Sequence, residues 1–383
     1  MSWTIDPTVT IGGTDYTSDS LNGVNVTYGR STIWEQPRYG YATIRIKNDN
    51  NSTLPVTLNA PVIITVDNFT GTPTTVFTGK VSSISSALQA TGSTAKVVIH
   101  TITAVSPLAD MARVITHKTS WPKEYDDDRL DRIISDSGVA IDIIDTPGVY
   151  EFTTSPASPT DCYSAAAYYA GMAFGYIYET TAGEVGYANE TRRTVEAATY
   201  GYFDIPTNVI LGNSIQSEIN TNNLINDVLL EYKASATVTA TSASSISTYG
   251  LRATDILTEL EDTTEAQNQA NRYVTLRSTP ETVLQSFTVQ LNAPAITSTV
   301  LNGLIGVYMG KPIQVTSFPN GIFNGIFRGF VEGWTLTISQ NTATISLNVT
   351  KNTLSLTPTR WQDVSPTLIW NDVDPTLEWS DYE

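Results

Sequence analysis

Cysteine is almost missing from this chain of 383 residues: Cys162 is the only one. A single thiol cannot close an internal disulfide, so a secreted disulfide framework and any multi-cysteine zinc site are excluded. Basic residues are also scarce, 21 Lys and Arg against 38 Asp and Glu, for a formal net charge of −17. Gripping a phosphate backbone or an anionic membrane takes a Lys/Arg-rich surface, so neither is expected. No apolar run approaches the roughly 20 residues that cross a bilayer as a helix. The first residues, MSWTIDPTVTIGG, lack the basic-then-apolar order of a secretory signal. The expectation is a chain that folds in a reducing cytoplasm, and its Asn-x-Thr sequons, such as Asn25-Val-Thr27, are read as chance.

What the chain does have is Thr, Ser, Asn, Val and Ile in short runs punctuated by Gly and Asn, a strand-rich text. Residues 1–107 read as a first antiparallel β-barrel or sandwich. Residues 108–205 read as a small α+β unit. In it, DDDRLDRIISDSG puts Leu130, Ile133 and Ile134 on one helical face and ends at Gly138. SPTDCYSAAAYYAGMAF reads as a second, mostly buried helix. Residues 206–352 read as a second β-barrel with a helical insertion at about 240–280, where Asp262 and Glu265 have the spacing of a capping box. That helix would put Ala266, Ala270, Tyr273 and Val274 on one face. Residues 353–383 read as an extended arm.

The two β regions repeat each other. Phe77-x-Gly79-x-Val81 matches Phe327-x-Gly329-x-Val331. Spaced two apart, the three residues share one strand face, and a glycine there lets a ring or a neighbouring backbone come close. The preceding strands align as Ile64/Val66 with Ile313/Val315. The following strands align as Ala95, Val97 and Ile99 with Ala343, Ile345 and Leu347, which sets His100 opposite Asn348 on an outer face.

Chemistry is weakly signalled. Asp136-Ser137-Gly138 has the letters of an aspartic protease motif, but two carboxylates must share such a site and only one copy exists. Helix-end punctuation is the simpler reading. Asp126-Asp127-Asp128 could offer oxygen ligands to a hard cation, yet it lacks the spacing of a calcium loop, and an acidic helix start explains it better. His100 and His117 have no plausible nucleophile near them in sequence. No catalytic residue, metal or cofactor is expected.

GVNVTYGR, VFTGKVSSI, VVIHTITAVSPLADM, RLDRIISDSGVAIDI and AGMAFGYIYETTAGEVGYAN follow one another in an order that resembles the baseplate or tail hub proteins of long-tailed bacteriophages. The same family underlies the hub of the type VI secretion spike. The stretch from INDVLLEY through Ser245-x-x-x-Tyr249-Gly250-x-Arg252 to an Ala-spaced helix carries most of the likeness. The resemblance implies a mainly β chain with an α+β insertion and two tube-like antiparallel β-barrels. It implies a structural, non-enzymatic virion protein that forms a homotrimeric ring at the distal end of the tail tube. Its partners would be the distal tail protein or a tube ring, tip and fibre proteins, and DNA only in transit. A distal tail or fibre-adaptor protein is the alternative within the class. A secreted carbohydrate-binding β protein is the alternative outside it.

The arm departs from that family. Trp361, Trp370 and Trp379 stand nine residues apart, and Val364-x-Pro-Thr-Leu368 recurs as Val373-x-Pro-Thr-Leu377. These seven residues are candidate anchors for a neighbouring chain or tail protein, in the mode of a docked strand. An arm folded on its own barrel is the alternative.

Overall fold

The computed structural model describes residues 6–17, 21–49, 53–91, 96–233, 235–318, 320–323 and 325–355. Seven strands come first: β1 (Pro7–Ile11), β2 (Thr14–Tyr16), β3 (Leu21–Gly29), β4 (Arg38–Asn48), β5 (Pro61–Asp67), β6 (Pro73–Thr91) and β7 (Lys96–Val105). Helices then alternate with short strands: α1 (Leu108–Met111), β8 (Ile115–Thr116), β9 (Glu124–Tyr125), α2 (Asp126–Ser137), β10 (Ile141–Ile144), β11 (Glu151–Phe152), β12 (Thr160–Asp161), α3 (Cys162–Met172), β13 (Tyr176–Glu179), β14 (Val185–Ala188) and α4 (Arg192–Tyr200). Next come β15 (Phe203–Pro206), β16 (Ser217–Glu218), β17 (Asp227–Tyr232), β18 (Ala236–Thr241), α5 (Ala243–Tyr249), β19 (Ala253–Leu257), α6 (Thr263–Arg277) and β20 (Val283–Leu284). The final group is β21 (Ser286–Gln290), α7 (Ser298–Ile305), β22 (Pro312–Thr316), α8 (Asn320–Phe323), β23 (Ile326–Ile338) and β24 (Ala343–Lys351).

Local sequence explains most of these elements. In β3, Val24, Val26 and Tyr28 are buried while Asn25 and Thr27 between them are partly exposed, the period-2 pattern of a strand with one wet face. In α2, Leu130, Ile133 and Ile134 are fully buried, and Gly138 caps the helix in the left-handed region at φ 73°. Asp161 and Asp262 cap α3 and α6 through their side chains. The capping box at α6 is only half formed. Asp262 accepts from the amides of Thr264 and Glu265, but the Glu265 carboxylate turns away to accept from the Glu151 amide at 3.1 Å.

The β regions are not two separate closed barrels. Among the described residues they form one continuous, open sheet of twelve strands, ordered β15-β22-β23-β3-β4-β7-β6-β5-β1-β2, with β24 on β23 and β21 on β24. The join is β3 against β23, from Gly29↔Gly333 to Val24↔Ile338. All its pairings are antiparallel except β15 with β22. The sheet is strongly curled. Tyr28 on β3 and Phe77 on β6 are three strands apart, about 14 Å in a flat sheet, yet their ring centroids lie 5.8 Å apart. One hydrophobic core therefore serves both β regions, running from Val9 and Ile11 through Phe77 and Trp334 to Val349.

A second core holds the helical unit, and two separated stretches of chain build it. Leu108 to Tyr187 supplies α2 and α3, and Val228 to Val274 supplies β17 and α6. The insertion expected at about 240–280 is thus wider, because β17 already packs its Val228 and Leu230 here.

Candidate functional site

The largest organised feature is the outer face of the curled sheet. Strand registers align one row across seven strands: Gln290, Thr344, Thr337, Asn25, Thr43, Thr103 and Ser83. Each of these is uncharged, polar and at least partly exposed. The row beside it on the opposite face is Val289, Ile345, Leu336, Val26, Ala42, Ala104 and Val81, all buried. Along these two rows alternation puts the apolar side chains into the core and leaves hydroxyls and amides outside, with Tyr41 beside Thr43 on the outer face. Cross-strand hydrogen bonds tie that surface together. Asn25 donates to Thr337 Oγ1 at 2.8 Å, Thr27 and Thr335 share a hydrogen at 3.2 Å, and Thr288 donates to Ser346 at 3.2 Å. Arg45 and Lys47 of β4 continue the same face toward one end.

Phe77, Gly79 and Val81 lie on β6, and Phe327, Gly329 and Val331 on β23. A Cβ on Gly79 would meet the Phe77 ring and the Val105 carbonyl; one on Gly329 would meet the Phe327 ring and the Thr350 carbonyl. Each strand bulges one residue past its valine, at Ser82 and at Glu332. The register differs from the sequence alignment on both sides of the motif. Phe77 faces Ile64 and Phe327 faces Val315, so Ile64 corresponds to Val315 rather than Ile313. Counted from the bulge, Ile102 rather than Ile99 corresponds to Leu347, and His100 corresponds to Ile345. The β6–β7 hairpin is the longer one, and residue counting across its turn carried that difference into the alignment.

Behind the join of the two β regions sits an ion cluster. Glu332, the bulge residue of β23, is fully buried and accepts from Arg30 Nε at 2.7 Å and from Arg193 Nη2 of α4 at 2.8 Å. Burial alone would raise its carboxyl, but the guanidiniums of Arg193 and Arg30 hold it below the usual range. The Tyr176 ring lies against both arginines, 5.1 Å from each. Glu179 makes a second tie, accepting from the amides of Gly40 at 2.8 Å and Leu108 at 2.7 Å. Between sheet and helical unit is a cavity of about 260 Å³, lined by Tyr176, Tyr178, Arg192, Glu196, Tyr308 and Trp334 among others.

The other sequence candidates have structural places. Asp126 is buried and accepts from the amides of Val149 and Tyr150 and from the Tyr187 hydroxyl. Burial raises its carboxyl despite these bonds. Asp127 accepts from the amide of Asp128. Among the described residues, no group of three or more His, Cys, Asp or Glu could hold a metal ion. Asp136 accepts from Thr116 Oγ1, two residues before the Gly138 cap. Arg129, inside the same acidic stretch, is fully buried. It bonds Glu124 and the carbonyls of Pro122 and Thr153, and its guanidinium lies among the rings of Trp121, Phe152 and Tyr169. His117 is buried and stacks on Trp121 at 3.8 Å. His100 Nδ1 pairs with Ser86 Oγ at 2.8 Å, a Ser–His contact that sequence distance hid. It sits on a hairpin whose Ser86 is exposed, not in a cleft, and among the described residues Asn48 rather than a carboxylate meets the other ring nitrogen. Cys162 is buried, and burial pushes its thiol up to about 11. Trp361, Val364, Leu368, Trp370, Val373, Leu377 and Trp379 lie outside the described residues.

No protein-family model matches the sequence, and no curated protein matches it. Solved structures do. The 43 kDa tail protein of prophage MuSo2 from Shewanella oneidensis aligns over 92% of this chain and 99% of its own, with a TM-score of 0.63 at 10% identity. A tail protein from Neisseria meningitidis MC58 aligns over 92% and 98%, with a TM-score of 0.61 at 10% identity. Prophage tail protein gp18 from Listeria monocytogenes EGD-e aligns over 90% and 95%, with a TM-score of 0.53 at 12% identity. Nearly the whole of each chain is matched, sheet and helical unit together, and the fold of this protein is that of phage tail proteins.

Proposed function

We propose that this chain is a structural tail hub protein. Three copies form a ring at the distal end of the tail tube, and the sheet face that carries the uncharged row lines the passage for DNA. One observation carries the reading: the seven-strand row from Gln290 to Ser83, on a fold shared with prophage tail proteins. A channel wall must let a polyanion slide, so it needs wettable residues with few fixed cations; each Lys or Arg on a phosphate releases counterions and holds the strand. Hydroxyls and amides meet that need, and the overall charge of −17 adds a field that repels phosphates. The two β regions supply the other element. Three chains with two similar β units each present six units, a way to match three-fold to six-fold symmetry.

Within this reading the arm after Thr359 docks on a neighbouring chain or tail protein, with Trp370 and Trp379 as anchors. Native mass spectrometry of the full chain with tail-tube and distal tail proteins tests the stoichiometry. Three copies per complex are expected. Six would favour a distal tail or fibre-adaptor role, and a monomer that binds neither partner would contradict a tail role. Deleting the residues after Thr359 should lower assembly onto the tail; unchanged assembly would remove the arm from the interface.

A further inference from the structure

The second half of β6, from Ser82 to Thr91, pairs with β7 on one side, and among the described residues no strand pairs with its other side. Ser82, Ser83 and Ser85 through Gln89 are exposed on both faces. Its ten residues, SSISSALQAT, contain no charge and no proline. Bulges at Ser82 and Gln89 bound the stretch, but between them the edge carries neither Lys nor Pro, so its open N–H and C=O groups remain a template for further pairing.

The second β region shows what covers the same edge there. Matched through the bulges, Ser83 to Leu88 correspond to Gly333 to Ile338 of β23. That edge of β23 is filled by β3. The second region also has a counterpart of β3. In the first region Leu21 of β3 pairs with Ile46 and Thr27 pairs with Tyr41. In the second, Ile210 pairs with Val289 of β21 and Ser217 pairs with Leu284 of β20. Segment 210–218 therefore borders β21 and β20 at its two ends, in the place β3 holds beside β4, with a 3-10 turn at Gly212–Ser214 between the two contacts. Gln216, Ser217 and Glu218 on it are exposed. One chain thus carries both halves of the β3–β23 junction a second time, unfilled, at opposite ends of its sheet.

We infer that the free edge of β6 docks segment 210–218 of a second copy of this chain, repeating between chains the β3–β23 junction that already exists within one. The contact is head-to-tail, so it propagates from copy to copy, and it closes into a ring where three such steps complete one turn. It rests on the ring reading proposed above and names the edges that would join. Thr27 faces Thr335 in the internal junction. By the correspondence, Ser217 of one copy lies against the Ser85–Ser86 pair of the next.

Cys162 is buried, so a cross-link can be placed cleanly. The full chain carrying Ser85→Cys and Ser217→Cys, assembled with tail components and oxidised, should give disulfide-linked multimers on a non-reducing gel. Either single variant should give none. In parallel, Ser85→Lys with Ala87→Lys should abolish the multimer while leaving the melting temperature unchanged. Trimers that form no cross-link and tolerate both lysines would overturn the edge assignment and leave the ring standing. A chain that stays monomeric inside assembled tails would overturn both.

Discussion

Glu332 shows how single residues fix the arrangement. A carboxylate with no exposure survives because Arg30 and Arg193 reach it from different parts of the chain. Such a cluster adds little net stability but strongly penalises loss of one member. Glu332→Ala should cost about 3–5 kcal/mol in urea unfolding, because two buried cations lose their counter-charge; a cost below about 1 kcal/mol would mean the cations find water. Its pKa is depressed in the fold, so the stability it contributes is present above about 4.5 and lost as pH falls through the folded value. Asp126, Glu179 and Glu265 have raised values and act in the opposite sense. The acid limb should therefore be read as the difference between wild type and Glu332→Gln, with the gap closing below pH 4.5. Lys311 gives a basic counterpart. Burial lowers its ammonium from 10.5 to about 8, against the opposing pull of Glu196, while Nζ donates to the Gly303 carbonyl. The fold favours neutral Lys311, so this contribution is present above 10.5 and lost as pH falls through 8. Relative to wild type, Lys311→Met should gain melting temperature as pH drops from 10.5 to 8 and hold that gain below; a gap independent of pH would contradict the burial cost.

At the scale of elements, β6 and β23 are the informative pair. Each has a phenylalanine, a glycine two residues on, a valine two further, and a bulge directly after it. Gly79→Ala and Gly329→Ala should each destabilise by about 1–3 kcal/mol, because the new methyl meets a ring and a carbonyl that cannot both yield. Similar losses at the two sites are expected; a cost at one site alone would contradict their equivalence. These triplets were legible in the sequence because each lies within one strand, where spacing and facing are locked together. So were α2, α3 and α6, with their apolar faces and the Asp262 cap; the Asp161 cap of α3 was not read. The alignment beyond the triplets was not legible, because hairpin length decides it and a turn hides the register. The Arg30–Glu332–Arg193 cluster was invisible for a related reason: Arg30 and Arg193 lie 302 and 139 residues from Glu332, and the β3–β23 join and the packing of α4 bring them together. The sequence did show Thr and Ser alternating in individual strands, but not that seven such strands set them in one row. That depends on registers passing through several bulges.

At the scale of the whole molecule, one curled sheet offers a dry face to a shared core and a wet, nearly uncharged face to whatever lies outside it. The helical unit is tied to the back of that sheet through Glu332 and Glu179, which leaves the outer face clear. Thr337→Lys should change stability by no more than about 0.5 kcal/mol, since the site is exposed. In phage particles carrying it, genome ejection should slow, and more so at low salt, where a cation on the wall holds phosphate most strongly. Ejection kinetics that match wild type at every salt concentration would count against a channel role for this face. The most direct measurement is a cryo-EM reconstruction of the assembled tail tip. The expected map has three copies around the tail axis, with Gln290, Thr344, Thr337, Asn25, Thr43, Thr103 and Ser83 facing the lumen. A lumen lined by other residues, with this row packed against protein or turned to the outside, would contradict it.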